Sequence, residues 1–252
     1  MGAAFTLRGV VIGAKNHRDQ DAIISILTPN QGVVSAMVPG AKKHSSRLAS
    51  MATPPILADL VLTDSKGFYY LKEGEAVESF RGLYSSFEAL TCASHILEVV
   101  RDTAIDPESG SALYPLILYV LYDLSSHPEK YRQIVAAFEW RVMDALGFAF
   151  DLSECDCENP DSMPTRAFSY TMCRLYCSKP GCVSKAKDYR YISLGCVEAL
   201  KYIRSAPLER LSAFHAEKYV LDDLCAVTHR YLCERLEKSY DKMLILDTLP
   251  PV

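Results

Sequence analysis

Apolar positions in the first eighty residues come in short runs separated by breakers, whereas the rest of the chain spaces them at helical intervals. Phe5 to Ile12, Ala22 to Leu27, Gly32 to Val38, Ile56 to Thr63 and Phe68 to Leu71 are rich in Val, Ile and aromatics, the residues that suit a pleated strand. Pro29-Asn30-Gln31-Gly32, Pro39-Gly40, Pro54-Pro55 and Asp64-Ser65-Lys66-Gly67 punctuate them, because proline cannot donate to a sheet ladder and glycine accepts backbone angles other residues avoid. A further short strand is expected from Glu75 to Phe80. Five or six strands in about eighty residues suit a small closed barrel, which leaves no edge strand unpaired. A small sandwich is the competing architecture.

From Leu83 the period lengthens. Leu83 to Ile105 reads as a helix that Asp106-Pro107-Glu108-Ser109-Gly110 interrupts. Ala112 to Leu124 reads as a second helix, almost wholly apolar and so expected to be buried. Tyr131, Ile134, Val135, Phe138, Val142, Ala145 and Leu146 share one face of a third, and Gly147 stands where a helix C-terminus favours a left-handed residue. Further helices are expected over Leu194 to Ser205 and about Ala216 to Tyr240. The pattern predicts an α+β chain: a barrel domain over residues 1–81 and an α-helical domain over 82–252.

Inside the helical part, roughly Asp151 to Lys187 breaks the pattern. It is short and polar, and it holds five of the nine cysteines, Cys155, Cys157, Cys173, Cys177 and Cys182. Such a stretch cannot bury much of a core of its own, so a cross-link is expected to shape it. Tetrahedral zinc takes four soft ligands, usually as two close pairs. Cys155 with Cys157 makes one pair; Cys177 with Cys182, or Cys173 with Cys177, makes the other. Structural zinc is the preferred reading over unliganded thiols. Cys92, Cys196, Cys225 and Cys233 fall in helical patterns and are expected in the core.

Charge changes the picture more than composition does. The chain of 252 residues is 49% hydrophobic with net charge −4, which by itself argues against a polyanion partner. Residues 1–50, however, hold Arg8, Lys15, Arg18, Lys42, Lys43 and Arg47 against Asp19 and Asp21, a balance of +4 that leaves −8 for residues 51–252. A basic head on an acidic body fits a polyanion met at one edge. The densest stretch is Val38 to Leu48, where Lys42, Lys43 and Arg47 stand beside Ser45 and Ser46 just after a strand. Cations and hydroxyls on a loop are what a row of phosphates needs.

Enzymatic signatures are missing. Gly40-Ala41-Lys42-Lys43 lacks the earlier glycine and the Lys-Ser/Thr ending of a phosphate loop. No nucleophile elbow, dinucleotide fingerprint or His-Glu-x-x-His occurs, and the six histidines have no metal spacing. Arg18-Asp19-Gln20-Asp21 reads as a charged hairpin rather than a carboxylate pair. No apolar run is long enough to cross a bilayer, no signal segment opens the chain, and a cytoplasmic location, at the nucleoid, is expected.

Taken together, Gly9-Val10-Val11-Ile12, Arg18 to Thr28, Gly32, Gly40-Ala41-Lys42-Lys43 with Ser46-Arg47, Glu139-Trp140-Arg141 and Leu146-Gly147-Phe148 leading to Cys155 resemble the bacterial recombination mediator family RecO. The resemblance implies an N-terminal OB-fold barrel and a helical domain carrying a zinc-binding insertion, with no enzymatic activity. It implies binding of single- and double-stranded DNA and annealing of complementary strands. It further implies loading of RecA, together with RecR, onto strands coated by single-stranded-DNA-binding protein, whose C-terminal tail the helical domain receives. DNA contact carries over to Lys42, Lys43 and Arg47; Arg18, Lys15 and Arg8 are added on charge and position. The family's first zinc pair is Cys-x2-Cys, whereas here Glu158 stands at the second place and Cys157 one residue early; Cys177 and Cys182 are two residues further apart than in the family's second pair. Two other readings remain: a zinc-stabilised protein-interaction scaffold whose barrel does not bind DNA, and a thiol-redox protein using Cys155 and Cys157, which predicts a depressed thiol pKa.

Overall fold

Alternation through Ile26 in β2 (Asp21–Thr28) and along β4 (Ile56–Ser65) puts Ala22, Ile24 and Ile26, and Ile56, Ala58, Leu60 and Leu62, on one buried face each. In the computed structural model, which describes residues 3–43, 46–153, 155, 157 and 163–247, these strands join β1 (Ala4–His17), β3 (Gly32–Val38) and β5 (Phe68–Glu78) in a closed barrel of order β1-β2-β3-β5-β4. All neighbours are antiparallel except β3 and β5. Five strands closed in this order make the OB-fold. β1 serves two partners: Ala4 to Val11 pair with β4, Val10 to His17 pair with β2, and the register shifts between Val11 and Gly13, where the strand bends. The interior holds Val11, Ile24, Ile26, Val38, Leu60, Leu62 and Leu71, none more than 1% exposed. Burial of each such side chain stabilises the fold by about 1.5–3 kcal/mol. The two short strands expected over 68–71 and 75–80 are one continuous β5, because register shifts against β4 let a single strand follow the curve of the barrel.

α1 (Phe87–Thr103) starts at Ser86, whose side chain accepts the Ala89 N–H. The run Asp106-Pro107-Glu108-Ser109-Gly110 does more than interrupt: it is the start signal of α2 (Pro107–Ser126), with Asp106 and Ser109 in a reciprocal capping box and Pro107 in the first turn. α2 is also one-sided rather than wholly buried. Leu113, Leu116, Ile117, Val120, Leu121 and Leu124 face inward, while Tyr119 and Tyr122 are exposed. The β2–β3 turn meets the start of α2 backbone to backbone. Gly32 has φ +66, a Cβ on it would lie 2.7 Å from Asp106 O, and a Cβ on Gly110 would run into Gly32 Cα. Only glycine satisfies both positions.

The chain divides into two compact units, residues 1–129 with 242–252 and residues 130–241. The second unit combines α3 (Tyr131–Ala145), a three-stranded sheet of β6 (Thr165–Ser169), β7 (Arg174–Tyr176) and β8 (Tyr189–Ser193), the short α4 (Pro180–Val183), α5 (Leu194–Ser205) and α6 (Lys218–Arg235). A last short helix, α7 (Leu244–Asp247), belongs to the first unit. The sheet runs antiparallel in the order β7-β6-β8. Its inner face supplies Phe168 and Leu175 to an aromatic core in which Phe150 stacks on Phe168, centroids 3.9 Å apart, and Trp140 and Tyr231 close around them. Trp140 Nε1 donates to Leu200 O at 3.1 Å, and Arg141 donates to Ile203 O and Arg204 O at the end of α5. The stretch 151–187 therefore contributes more to a core than its polarity indicates. No helix among the described residues is long and apolar enough to cross a membrane.

Candidate nucleic-acid interface and metal centre

The β1–β2 turn and the loop after β3 lie at the same end of the barrel, since His17 pairs with Asp21 and Ala22 with Val38. Two hydrogen bonds clamp them together. The Lys42 N–H donates to Gln20 O at 3.1 Å, and the Gly40 N–H donates to the Asp21 carboxylate at 2.8 Å. Gly40 takes φ +64, which lets the chain reverse there without a side-chain clash. Further along, the Lys43 N–H donates to Gly40 O and the Ser46 N–H to Lys43 O, at 3.0 and 2.9 Å. Leu48 then packs on the barrel core.

This end of the barrel gathers Lys15, Arg18, Lys42 and Lys43, with Arg47 following in the same loop. All five are exposed, and among the described residues none of their side chains forms an ion pair. Ser46 is half-buried, its Oγ accepting the Leu48 N–H at 3.3 Å; Ser45 lies outside the described residues. Arg8 is placed differently. It sits opposite Asp59 across the β1–β4 ladder and donates to both carboxylate oxygens at 2.7 Å. That pairing raises the Arg8 pKa and lowers that of Asp59, and it leaves Arg8 less available to a phosphate than the other five cations. Asp21, read as part of a charged hairpin, is the anchor of the basic loop, a role that only the fold reveals.

In the second unit, the Sγ atoms of Cys155, Cys157, Cys177 and Cys182 all lie within 4.8 Å of one another, with Cys157 and Cys177 at 3.6 Å. Thiolates around a tetrahedral ion with bonds of about 2.3 Å stand about 3.8 Å apart, so this donor set is spaced to hold a soft cation. The route to that spacing is local. Cys177 directly follows β7, the chain turns at Lys179-Pro180, and α4 brings Cys182 back, its N–H donating to Lys179 O at 2.9 Å. Cys173, the alternate ligand, is not in the cluster. It occupies the β6–β7 turn with φ +50, at the opposite end of the hairpin, and its Sγ lies 3.7 Å from Tyr231 Oη and 3.5 Å from Arg235 Nη1. Hydrogen bonding to Cys177 and burial push Cys182 up to about 12, and burial foremost raises Cys157. A raised Cys157 is the reverse of what a redox-active thiol requires. Cys92 and Cys196 are buried as expected; Cys225 and Cys233 are only half-buried.

Another polar cluster had no counterpart in the sequence pattern. Glu139, 2% exposed, accepts from Thr228 Oγ1 at 2.9 Å and pairs with His229 Nδ1 at 2.7 Å. Cys233 Sγ lies 3.7 Å from the other ring nitrogen. Contact with Cys233 and Glu139 pushes His229 up to about 10. Its one signal in the sequence was Glu139 standing inside an apolar helix face.

An OB barrel with a clamped basic end, joined to a helical unit that carries a four-cysteine centre, places the chain among the OB-fold proteins, a class that binds oligonucleotides or oligosaccharides. The family model described as Recombination protein O N terminal matches residues 1–80, and that described as Recombination protein O C terminal matches residues 84–244. The chain belongs to the RecO family. Among curated relatives, the DNA repair protein RecO of Acetivibrio thermocellus is 34% identical over 96% of this chain and 95% of its own length. Those of Clostridium perfringens and Clostridium acetobutylicum are 28% and 23% identical, covering 87% and 97% of this chain and 88% and 98% of their own lengths.

Proposed function

We propose that this DNA repair protein is a non-enzymatic recombination mediator that binds single- and double-stranded DNA and anneals complementary strands. The observation that carries the reading is the set of five exposed cations, without an ion pair among the described residues, at one end of the OB barrel, where hydrogen bonds to Gln20 O and the Asp21 carboxylate fix the basic loop. Cations fixed on a rigid scaffold neutralise phosphates, release counterions and leave the bases free to pair. Phe68, the first residue of β5 and 69% exposed, is available to stack on a base. Lys42, Lys43 and Arg47 are the primary contacts, Arg18 and Lys15 secondary, and Arg8 the weakest because Asp59 competes for it. Membership of the RecO family supports cooperation with RecR, loading of RecA, and a helical domain that receives the tail of single-stranded-DNA-binding protein. Zinc is the metal we assign to Cys155, Cys157, Cys177 and Cys182: four thiolates suit a tetrahedral, redox-inert ion whose role is to cross-link the chain. The same family membership supports action at the nucleoid.

The test is annealing of complementary oligonucleotides at two salt concentrations, with the Lys42/Lys43/Arg47 triple alanine beside the native protein. Native annealing should weaken as salt rises. On single strands the triple variant should lose about 2 from the slope of log affinity against log salt, at about 0.7 per phosphate contact. Salt-insensitive behaviour, with no annealing by folded native protein at low salt, would leave a protein-interaction scaffold as the better account.

A further inference from the structure

The sheet and its turns, residues 163–193, carry Arg166, Arg174, Lys179, Lys185, Lys187 and Arg190 against Asp188 alone, whereas residues 151–162, which hold Cys155 and Cys157, carry five acids and no cation. Several of these charges are matched. Arg230 donates to both oxygens of Asp188, at 2.5 and 2.6 Å. Asp151, from the acidic stretch before the sheet, stands 3.9 Å from Arg174, and Asp223 stands 3.8 Å from Arg190. Lys185 and Lys187 are exposed and form no ion pair among the described residues. Just beyond them, β8 presents Tyr189 and Tyr191, 38% and 46% exposed, on one side of the strand, their rings edge to face with centroids 5.3 Å apart.

β8 is an edge strand, hydrogen-bonded only to β6 within the sheet. Tyr191 stands opposite Ala167, which packs on Cys177 and Cys182, so the tyrosines share the sheet face that the cysteine cluster covers. Lysines beside an edge strand also discourage pairing with another sheet. That role needs no pair of exposed rings. Flat aromatic faces beside unpaired ammonium groups match the two halves of a nucleotide, a base and its phosphate.

We propose that Tyr189 and Tyr191, with Lys185 and Lys187, form a second contact for single-stranded nucleic acid, the rings stacking on unpaired bases and the lysines meeting adjacent phosphates. The inference rests on the DNA-binding reading and adds to it a site that prefers unpaired bases. Because every base has a π-face, this site selects for strandedness rather than sequence, whereas the barrel loop reads the backbone common to both forms.

Photocrosslinking of the full-length protein to an iodouracil-containing oligothymidylate, with peptide mapping, tests the proposal alongside fluorescence anisotropy. Crosslinks are expected at Tyr189 or Tyr191. The Tyr189→Ala/Tyr191→Ala variant should bind oligothymidylate about tenfold more weakly with duplex affinity unchanged, and Tyr189→Phe/Tyr191→Phe should restore single-strand affinity, since phenylalanine stacks as well as tyrosine. In the Lys42/Lys43/Arg47 alanine background, the tyrosine-to-alanine change should remove the residual single-strand binding. Crosslinks confined to the barrel, with unchanged affinity in the tyrosine variants, would overturn the second site while leaving the DNA-binding reading intact. Equal losses for single-stranded and duplex DNA, not rescued by phenylalanine, would mark the tyrosines as structural only and overturn the site as well. No binding of either DNA form by the native protein at low salt would overturn both readings.

Discussion

Among the described residues the barrel strands bury one polar side chain, Thr28, beside an apolar interior from Val11 to Leu71, whereas residues 130–241 bury Glu139, Ser169, Ser212 and Thr228 and gather four thiols at one point. The difference concerns how stability is distributed. Apolar burial is spread over many side chains, each contributing a few kcal/mol, so no single group decides whether the barrel forms. A satisfied polar or metal-binding group in a small interior concentrates stability, because removing one partner leaves the others desolvated and unpaired. The proposed contacts divide in the same way: those of the barrel lie on a loop outside its core, while the sheet that presents Tyr189 and Tyr191 packs on the cysteine cluster.

The largest effect is expected at the cysteines. Cys182→Ser should abolish metal binding and open residues 163–193 to protease, because Ala167, Tyr176 and Ala186 pack with the clustered thiols. Structural zinc sites contribute on the order of 10 kcal/mol to the folding of small metal-dependent modules. Hydrogen exchange in the barrel should be unchanged. Measured metal content together with limited proteolysis decides the matter; a fully protected 163–193 in metal-free protein would show that the aromatic core alone is sufficient.

Next in size is Glu139→Gln. Breaking a buried ion pair from one side typically costs about 3 kcal/mol, since it strands the other partner. The pH dependence carries a sign. His229 binds its proton more tightly folded than unfolded, so its contribution is fully present below about pH 6.5 and is lost as pH rises towards about 10. The urea midpoint of the native protein should fall over that window, and the fall should flatten in Glu139→Gln. Parallel slopes in the two proteins would move the titration to another group.

The same contrast explains what the sequence disclosed. The barrel was legible because its strands alternate and its breakers fall between them; β3 begins and ends at Gly32 and Val38 as the pattern indicates. α5 likewise keeps its expected bounds, Leu194–Ser205. The three-stranded sheet was not legible, because β6, β7 and β8 span only three to five residues each and owe their pairing to tertiary contacts. The four clustered cysteines stood out by composition, yet Cys173 was a rival until the β6–β7 turn placed it beside Tyr231. In the basic loop the cations were visible in the chain, but the clamp was not. Asp21 and Gly40 lie nineteen residues apart, and no local pattern links an acid in a hairpin to an amide in a loop.

That clamp gives the smallest and most discriminating prediction. Asp21 is an acid beside five cations, so charge alone says that removing it strengthens DNA binding. Its carboxylate also holds the Gly40 N–H at 2.8 Å, so geometry says that removing it loosens the loop and weakens binding. Two substitutions separate the terms. Asp21→Asn keeps an oxygen able to accept the Gly40 N–H and discards the charge; affinity for oligonucleotides should rise by about twofold at low salt and converge with the native value at high salt. Asp21→Ala discards both; affinity should fall by a few-fold despite the more favourable charge, with a stability loss of about 1 kcal/mol for the unmatched amide. A gain in both variants would mean that the loop needs no anchor and that the barrel's basic end acts only through net charge. A gain in the first and a loss in the second would mean that the barrel, like the cysteine sheet, positions its functional side chains through one specific contact, differing only in how little of its stability depends on it.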